Sequence, residues 1–541
     1  AVLEITSSHF MFTEQKTGKA INVASGELII TDSNFFHCQE GIEIVNGITN
    51  AEIEGCVFSD CNKLSDTSAA VIKIDNTKCT FKHNIVNFTS NEAGKSISGI
   101  WIKRHGDIVV TNNEFIKIRR SQTNKDGGDI KGGICIQDSE KTEIRPGVIF
   151  NHNLIDSVGN IKNGIFFIEK QSRFEFDYNT ITNCVITDYS TNIDVSNNID
   201  FEQEYTLTGL TFIGCEAKSQ DGGGLGLWLK FKITNSFSDG KFILKDCYFE
   251  RNKANILDNN PNSGYGGAVA FNDLRSNSEG YSVEFDTCKF SDNSLTDTNG
   301  KGGSLYINVS YEVVIKNCNF TDQAFNGYGG SIYGEYASDI LIQNTGFYLN
   351  KEANGNGNAI YLSYNLPLCT IIGNNKFVDC GDSKKGSVIE SKATEFVFDG
   401  NQILFNSEDK GVRGICISCG SKIRIANSSF TRCNADDKNI DIHNGEGGGI
   451  LYKRDSQNHP ELIQIENTVF DNNRAANGCA LLLKISQLPN ITACTIKNHR
   501  KGNFIFCIFY EAVILDEVSV ERCTFENNEF LLKNSKLHKF L

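Results

Sequence analysis

Four carboxylates fall close together in one polar segment of the chain. Asp436, Asp437, Asp441 and Glu446 could supply oxygen ligands to calcium, which accepts irregular coordination geometry. Their spacing is not that of an EF-hand loop. A solvated acidic loop explains the same residues, and we favour that interpretation. Calcium stays the alternative ligand, and no other cofactor is expected.

Nineteen cysteines are available for disulfide or zinc chemistry. Zinc sites usually need two closely spaced pairs of ligands, whereas Cys416 and Cys419 form a pair that stands alone. Twelve of the cysteines instead recur at two fixed positions of a sequence repeat. Side chains that point in parallel from neighbouring strands suit disulfide geometry poorly, so we expect buried free thiols.

Modification chemistry is suggested by five Asn-x-Ser/Thr sequons, at Asn87, Asn308, Asn319, Asn427 and Asn490. Such sequons accept N-linked glycans on exposed surfaces of proteins that pass through a eukaryotic secretory pathway. Asn319 and Asn427 are the favoured sites, because they lie beside apolar strand positions on the alternate, outward face. These residues predict a glycoprotein.

Carbohydrate-cleaving chemistry would need clustered carboxylates with a nearby His and a basic pair, or calcium-binding acids with a basic residue that takes the proton. The combination of Asn-Thr-Asp, Gly-His-Gly and Arg-x-Lys motifs does not occur, and the nine His are dispersed. We therefore nominate no catalytic residue and expect a non-enzyme. Polysaccharide lyase or hydrolase activity is kept as an alternative.

The charge balance of the chain narrows its partners. The formal net charge is −14 and the sequence pI is about 5.3, which argues against nucleic acid and anionic membranes. The longest apolar run, 504–510, is far shorter than the roughly 20 residues of a spanning helix, so no direct membrane insertion is expected. The strand-like opening, 1–5, lacks an initiator Met, which predicts an excised piece of a longer surface protein.

One short pattern occurs about eighteen times along the chain. It centres on a large apolar residue, here called the anchor, whose occurrences are Phe10, Phe35, Phe58, Val86, Phe115, Ile155, Ile181, Phe212, Phe249, Phe290, Phe320, Phe347, Phe377, Ile403, Phe430, Phe470, Ile496 and Phe525. Two residues earlier, at the first ladder position, stands a small or amide side chain, including Cys247, Cys288 and Cys318. Alternation of period two turns both positions inward.

Three residues after the anchor lies the second ladder position, which is usually Asn or Cys. Asn occurs as Asn252, Asn293, Asn350, Asn406, Asn473 and Asn528, and Cys occurs as Cys38, Cys61, Cys184, Cys215, Cys380 and Cys433. Stacked Asn side chains hydrogen-bond along a column of strands, while Cys fills the same space as a small apolar group. A further strand then begins from glycine, as at Gly302 and Gly329.

The spacing of the anchors predicts the architecture. They recur every 23 to 41 residues and mostly every 26 to 31, too long for hairpin repeats and too strand-rich for helical ones. The pattern predicts an all-β fold, a single right-handed parallel β-helix of about 18 coils over residues 1–541, each coil carrying three short strands. The longest intervals place extra residues at 119–131, 253–265 and 434–446, which should protrude along one edge.

Phe-x-x-Asn segments, as at 249–252 and 290–293, and Gly-Gly-Ala/Ser-aliphatic segments, as at 266–269, resemble the repeats of the polymorphic outer-membrane protein family. The resemblance covers nearly all of the chain. That family comprises chlamydial autotransporter passengers and similar repeat proteins of protists. It implies a β-helical, surface-displayed and often adhesive molecule, although Cys replaces the Asn in many coils here.

These features predict an extracellular or cell-surface adhesin or structural protein. Its expected partner is a host or neighbouring surface protein or a glycan. The main alternative is a self-assembling filament or cell-wall component, because open coil ends are templates for strand addition and would support end-to-end self-association. A polysaccharide-active β-helix enzyme is the third hypothesis.

Overall fold

The chain folds into two compact units, as shown by a computed structural model. Unit 1 comprises Ala1–Tyr281 with Asn293–Thr296, and unit 2 comprises Ser282–Asp292 with Asp297–Leu541. The structure describes the chain except for residues 12–18, 39, 45–47, 62–69, 76, 88–97, 104–106, 119–133, 138–146, 159–165, 169–172, 187–204, 218–240, 256–264, 273–281, 296–299, 309–311, 326, 338, 353–356, 364–365, 382–385, 408–411, 419–420, 436–444, 454–461, 476, 486–488, 500–504, 510–518 and 529–541. None of the described residues is helical.

Unit 1 contains three kinds of strand in each complete coil. The leading strands, which precede the anchor, are Val2–Thr6, Gly26–Thr31, Ile48–Glu54, Lys78–Lys82, Ile108–Thr111, Gly147–Asn151, Arg173–Glu175, Tyr205–Thr208 and Lys241–Lys245. The anchor strands are His9–Met11, Asn34–Phe36, Val57–Ser59, Ile85–Asn87, Glu114–Ile116, Leu154–Asp156, Thr180–Thr182, Thr211–Ile213 and Tyr248–Glu250. The glycine strands are Lys19–Val23, Glu40–Ile44, Ala70–Asp75, Ser98–Lys103, Ile134–Gln137, Phe166–Ile168 and Val269–Asn272. Short strands follow some anchors, at Val185–Ile186, Glu216–Ala217, Lys253–Ala254 and Ser294–Leu295.

Unit 2 repeats the same three kinds of strand. Its leading strands are Ser282–Asp286, Val313–Lys316, Asp339–Gln343, Leu368–Ile372, Glu395–Asp399, Lys422–Ala426, Leu462–Glu466, Asn490–Thr492 and Ser519–Glu521. Its anchor strands are Lys289–Ser291, Asn319–Thr321, Gly346–Tyr348, Lys376–Val378, Gln402–Leu404, Ser429–Thr431, Val469–Asp471, Thr495–Lys497 and Thr524–Glu526. Its glycine strands are Leu305–Asn308, Ile332–Gly334, Ile360–Leu362, Ser387–Ser391, Arg413–Ile417, Ile450–Lys453, Leu481–Ile485 and Ile505–Phe509. The short strands are Gly300–Lys301, Ala324–Phe325, Gly327–Tyr328 and Lys351–Glu352.

Each kind of strand pairs in parallel with its equivalents in the neighbouring coils of its unit. In unit 1 the anchors Phe10, Phe35 and Phe58 are register partners, and in unit 2 Phe320, Phe347 and Phe377 are register partners. Parallel neighbours cannot be joined by a hairpin, so the chain must pass through the other strands of a coil before it returns to pair with the equivalent strand. The predicted all-β parallel β-helix is therefore confirmed.

Alternation along each strand places the core inside the coil. In Gly26–Thr31 the side chains of Leu28 and Ile30 are fully buried, whereas Glu27 is exposed. Burying one large apolar side chain in this way contributes about 1.5–3 kcal/mol. Because every coil repeats the inward positions, the core of each unit is a set of parallel columns of side chains.

The predicted protruding segments fall largely outside the described residues. This holds for 119–131 and for most of 253–265 and 434–446. No helix in the described part of the chain is long and apolar enough to cross a membrane.

Candidate functional site

The anchor column is the spine of each unit. In unit 1 the rings of Phe10 and Phe35 stack with centroids 4.8 Å apart, and Phe212 stacks on Phe249 at 5.4 Å. In unit 2 the corresponding centroids are 4.7 Å apart for Phe290 and Phe320 and 5.0 Å apart for Phe320 and Phe347. All of these rings except that of Phe10 are buried. The stacked rings form part of the interior scaffold of each unit.

The first ladder position forms a hydrogen-bonded column. The Nδ2 of Asn84 donates to the oxygen of Ile53, at 2.9 Å, and its Oδ1 accepts from the backbone nitrogen of Cys56, at 2.9 Å. Asn113 repeats both contacts one coil later, to Phe81 and to the nitrogen of Asn84. Each buried amide therefore satisfies backbone groups of the preceding coil.

Cysteine at the first ladder position keeps the hydrogen bond to a backbone carbonyl of the preceding coil but does not offer the amide oxygen as an acceptor. The Sγ of Cys318 lies 3.6 Å from the oxygen of Phe285, and that of Cys247 lies 3.7 Å from the oxygen of Leu207. Cys288 is likewise buried, with its Sγ 3.5 Å from the oxygen of Asp286. A thiol is a weak donor, so cysteine here is more than the small apolar filler that we expected.

The second ladder position obeys a similar rule. The Nδ2 of Asn252 donates to the oxygen of Phe212 at 3.0 Å, and that of Asn293 donates to the oxygen of Phe249 at 3.0 Å. At the same position the Sγ of Cys215 lies 3.6 Å from the oxygen of Ile181. Amide and thiol both donate to the carbonyl of the preceding anchor, which explains why Asn and Cys interchange in the sequence.

Asn406 breaks the rule, and its prediction as an inward ladder residue is wrong. Asn406 is exposed and its backbone nitrogen and Nδ2 donate to the carboxylate of Asp379, at 2.8 and 2.7 Å. Phe405 is fully buried in its place. The cause is local, because Phe405 lacks the left-handed φ that the equivalent residue Asp379 has one coil earlier. Without that corner the inward position falls one residue sooner.

Left-handed corners flank the anchor strands, and the ladder pattern in the sequence does not reveal them. One corner precedes the anchor by three residues, as at Asp32 and Asn112, with φ of 50° and 56°. The other follows it by two residues, as at Asp60 and Asn183, with φ of 51° and 52°. Asn, Asp and Gly tolerate this conformation best. Their recurrence three residues before and two residues after the anchor is the sequence pattern that indicates the corners.

The glycines that open the glycine strands have distinct roles. Gly329 has a φ of 72°, and a Cβ there would overlap the carbonyl of Ile332. A Cβ on Gly330 would overlap the carbonyl of Asn358 in the next coil. The first glycine thus makes a tight bend within one coil, and the second allows close approach between coils. The bend brings the residue before the first glycine back over the outer face.

This outer face of unit 2 carries the tyrosine cluster, defined as Tyr306, Tyr328, Tyr333, Tyr336 and Tyr361. Three of its members are register partners in consecutive glycine strands, where alternation points them away from the core. The ring centroids of Tyr306 and Tyr333 are 5.8 Å apart, and those of Tyr333 and Tyr361 are 5.1 Å apart. All three are nonetheless at most 6% exposed. An outward column has therefore been covered by a second layer.

Lys301, Tyr328 and Lys392 contribute to that second layer. The Nζ of Lys301 lies 5.0 Å from the ring centroid of Tyr333, and that of Lys392 lies 5.2 Å from the ring of Tyr361. Tyr328 packs on Tyr361 with centroids 5.1 Å apart. Tyr328 stays 36% exposed and Tyr336 is 51% exposed. Burial raises the pKa of Tyr361, so this hydroxyl keeps its proton at neutral pH.

Within the cluster, Lys301 and Glu335 compensate each other's charge. Glu335 accepts hydrogen bonds from Lys301, at 2.9 and 3.2 Å, and from the hydroxyl of Tyr306, at 2.9 Å. Lys301 and Glu335 remain partly accessible, with side chains 23% and 18% exposed. The site therefore offers aromatic faces beside a hydrogen-bonding ion pair, an arrangement that suits ligand binding.

Three of the four predicted calcium ligands, Asp436, Asp437 and Asp441, lie outside the described residues, so the structure does not test that site. Glu446 is engaged by the Nζ of Lys484, at 2.8 and 2.9 Å. Across the described part of the chain, no group of three His, Cys, Asp or Glu side chains is arranged to hold a metal ion.

The five sequons differ in accessibility. Asn319, Asn427 and Asn490 are exposed, whereas Asn87 and Asn308 are partly buried. The Oδ1 of Asn87 is buried without a hydrogen-bond partner. Asn427 is engaged on both sides, because its Nδ2 donates to Asp399 at 2.8 Å and its Oδ1 accepts from Asn467 at 2.7 Å. Asn319 and Asn490 therefore combine exposure with strand positions that face outward.

The cysteines whose side chains the structure describes are all free thiols. There are sixteen of them, and only Cys523 is not fully buried. This agrees with the expectation of buried thiols. Cys416 belongs to a buried apolar cluster with Leu451 and Leu482, while Cys419 lies outside the described residues.

Comparison with known families supports the architecture. Residues 2–181, which belong to unit 1, match the family model described as right handed beta helix region. Together with the parallel strands of both units, this match defines an all-β right-handed parallel β-helix built from sequence repeats. It does not distinguish the polymorphic outer-membrane protein type from other β-helices. The comparison with curated proteins finds no match.

Proposed function

We propose that this protein is an extracellular or cell-surface β-helical adhesin of the polymorphic outer-membrane protein type, acting by binding and not by catalysis. The observation that carries the proposal is the tyrosine cluster. Tyr328 presents an exposed ring that packs on Tyr361, which in turn stacks on Tyr333, and Tyr336 is exposed just beyond the glycine strand that carries Tyr333. Rigid aromatic side chains on an ordered scaffold supply contact area at low entropic cost.

The test is adhesion of the labelled chain to cells and to extracellular matrix. The double substitution Tyr328→Ala and Tyr336→Ala should remove most of the binding. Tyr178→Ala is the matched control, because Tyr178 is also 51% exposed but belongs to unit 1, where it stacks on His152. Binding that is equally strong in the double variant, or equally weakened in the control, would contradict the proposal.

Filament formation is the second candidate, favoured by apolar side chains that are exposed on described strands. Phe525 is 52% exposed and Val520 is 37% exposed, although the anchor Phe347 is fully buried. In the first coil Val2 and Met11 are 58% and 66% exposed. Association with a second copy through such side chains would remove their apolar surface from water.

Electron microscopy over a concentration series separates the two candidates. Isolated particles at all concentrations favour the adhesin. Fibres that disappear on Phe525→Asp substitution would make assembly the function. A reducing-sugar assay on plant and bacterial polysaccharides addresses the third hypothesis, a polysaccharide-active enzyme, and sustained product release would replace both candidates.

A further inference from the structure

The ligand class of the tyrosine cluster follows from its geometry and charge. Building on the proposed function, we infer that the cluster binds a neutral glycan, with a pyranose ring stacked on Tyr328 and hydroxyls bonded to the Lys301–Glu335 pair. A sugar ring has an apolar face of C–H groups rimmed by hydroxyls. Such a ligand needs a flat aromatic surface beside groups that both donate and accept hydrogen bonds.

The flat surface is supplied by Tyr328. Its ring is 36% exposed and is fixed from below by Tyr361, whose centroid lies 5.1 Å away. Tyr361 in turn stacks on Tyr333 with an interplanar angle of 12°. A ring held in this way loses little conformational freedom when a ligand covers it.

The polar partners are supplied by the ion pair. The ammonium of Lys301 has three donors, and the carboxylate of Glu335 has more acceptor sites than Lys301 and Tyr306 occupy. Both side chains keep part of their surface exposed. The pair can therefore donate to and accept from the same set of sugar hydroxyls.

The compensated charge of the Lys301–Glu335 pair disfavours an ionic ligand at that pair. An acidic sugar or a phosphate would need a cation without an acidic partner, but Lys301 is bonded to Glu335 at 2.9 Å. A basic peptide would need a carboxylate without a cationic partner, and Glu335 is the carboxylate of that same pair. An ionic ligand would have to separate Lys301 from Glu335, which costs free energy. A neutral hydroxyl-rich ligand can bind without breaking this ion pair.

The experiment is a glycan array probed with the full chain, followed by calorimetric titration of a neutral oligosaccharide that is retained. Tyr328→Ala should weaken binding by up to about tenfold, as expected for loss of one aromatic contact. Tyr328→Phe should bind like the original chain, because the ring face is kept. Tyr178→Ala should have no effect. The affinity should not change with salt, since no net charge is neutralised.

Selective retention of sulfated or sialylated glycans, full binding by Tyr328→Ala or a steep salt dependence would overturn the inference. Treatment of the target surfaces separates this inference from the proposed function. If periodate oxidation of surface sugars abolishes Tyr328-dependent adhesion, both stand. If adhesion survives periodate and is lost after protease treatment, the protein is an adhesin for a protein ligand and the glycan inference fails. If no surface is bound, both fail.

Discussion

Individual residues in this fold are constrained most strongly at the left-handed corners. Most corner residues are Asn, Asp or Gly, but Leu349 has a φ of 53° and is 41% exposed. A left-handed conformation costs an ordinary side chain roughly 1–2 kcal/mol, and Asn recovers part of this through local hydrogen bonds. The left-handed conformation of Leu349 therefore lowers the stability of the folded protein.

Leu349→Asn should raise the free energy of unfolding by up to about 1 kcal/mol, because it relieves this conformational strain. Urea denaturation followed by circular dichroism measures the change. Leu462→Asn is the control, since Leu462 is 46% exposed at the start of a strand and has no left-handed φ. An equal gain in both variants would show that the benefit comes from replacing an exposed apolar side chain by a polar one and not from the left-handed corner.

The sequons lead to a second prediction at this scale. When the chain is secreted from eukaryotic cells, Asn319 and Asn490 should carry glycans, because both side chains are exposed. Asn427 should be occupied less, since its amide is hydrogen-bonded to Asp399 and Asn467. Glycopeptide mass spectrometry gives the occupancy of each site. High occupancy at Asn87, whose Oδ1 is buried, would contradict the structural ranking.

At the scale of the element, the second ladder column contains a histidine, His499. The side chain of His499 is fully buried. Its Nδ1 accepts a hydrogen bond from the backbone nitrogen of Asn473, and the backbone nitrogen of His499 donates to Oδ1 of Asn528. Burial lowers the pKa of His499 from 6.5 to about 4. The imidazole is therefore neutral in the folded protein at pH values where it is charged in the unfolded chain.

This difference predicts acid sensitivity. Below pH 6.5 the imidazole of His499 is protonated in the unfolded chain but stays neutral in the folded protein. The free energy of unfolding should therefore fall as the pH drops toward about 4 and then level off. The total loss should be about 2–4 kcal/mol. His499→Asn places the usual ladder amide in the column and should remove this component. Urea denaturation at a series of pH values compares the two proteins. Parallel curves for both would show that His499 does not titrate as its burial requires.

The anchor column predicts position-dependent costs of truncation. Phe347→Ala should lower the free energy of unfolding by about 3–5 kcal/mol, because it leaves a cavity between two stacked rings. The centroids of those neighbouring rings, in Phe320 and Phe377, lie 5.0 and 4.6 Å from that of Phe347. Phe525→Ala is the control at the same repeat position and should cost much less, since Phe525 is 52% exposed. Equal thermal melts for the Phe347 variant and the original chain would refute the anchor assignment.

At the scale of the whole molecule, the buried thiols among the described residues should be inert in the native state. Burial raises the pKa of Cys79 and of Cys494 to about 12, which removes their reactive thiolate at neutral pH. Among the cysteines whose side chains are described, alkylation of native protein should label Cys523 alone. Mass spectrometry after iodoacetamide treatment tests this, with urea-unfolded protein as the positive control. Extensive native labelling of Cys318 or Cys433 would contradict the buried ladder.

The register of most coils could be predicted from the sequence. Anchors such as Phe35, Phe212 and Phe430 are register partners of their neighbours because each is fixed by a local alternation that recurs in every coil. The failure at Asn406 has an equally local cause. A missing left-handed corner moves the inward position to Phe405, and no spacing rule based on the anchor alone detects that shift.

By itself, the sequence determined the repeat, the inward columns and the parallel β-helix, because these depend on side-chain alternation within short strands. The tertiary structure decided which outward residues form a surface site. Tyr306 and Tyr361 have the sequence pattern of exposed strand residues, yet Lys301 and Lys392 lie over the column and Tyr328 packs on it while remaining accessible. That arrangement depends on bends at glycine and on contacts between coils, which bring together residues that are far apart in the chain.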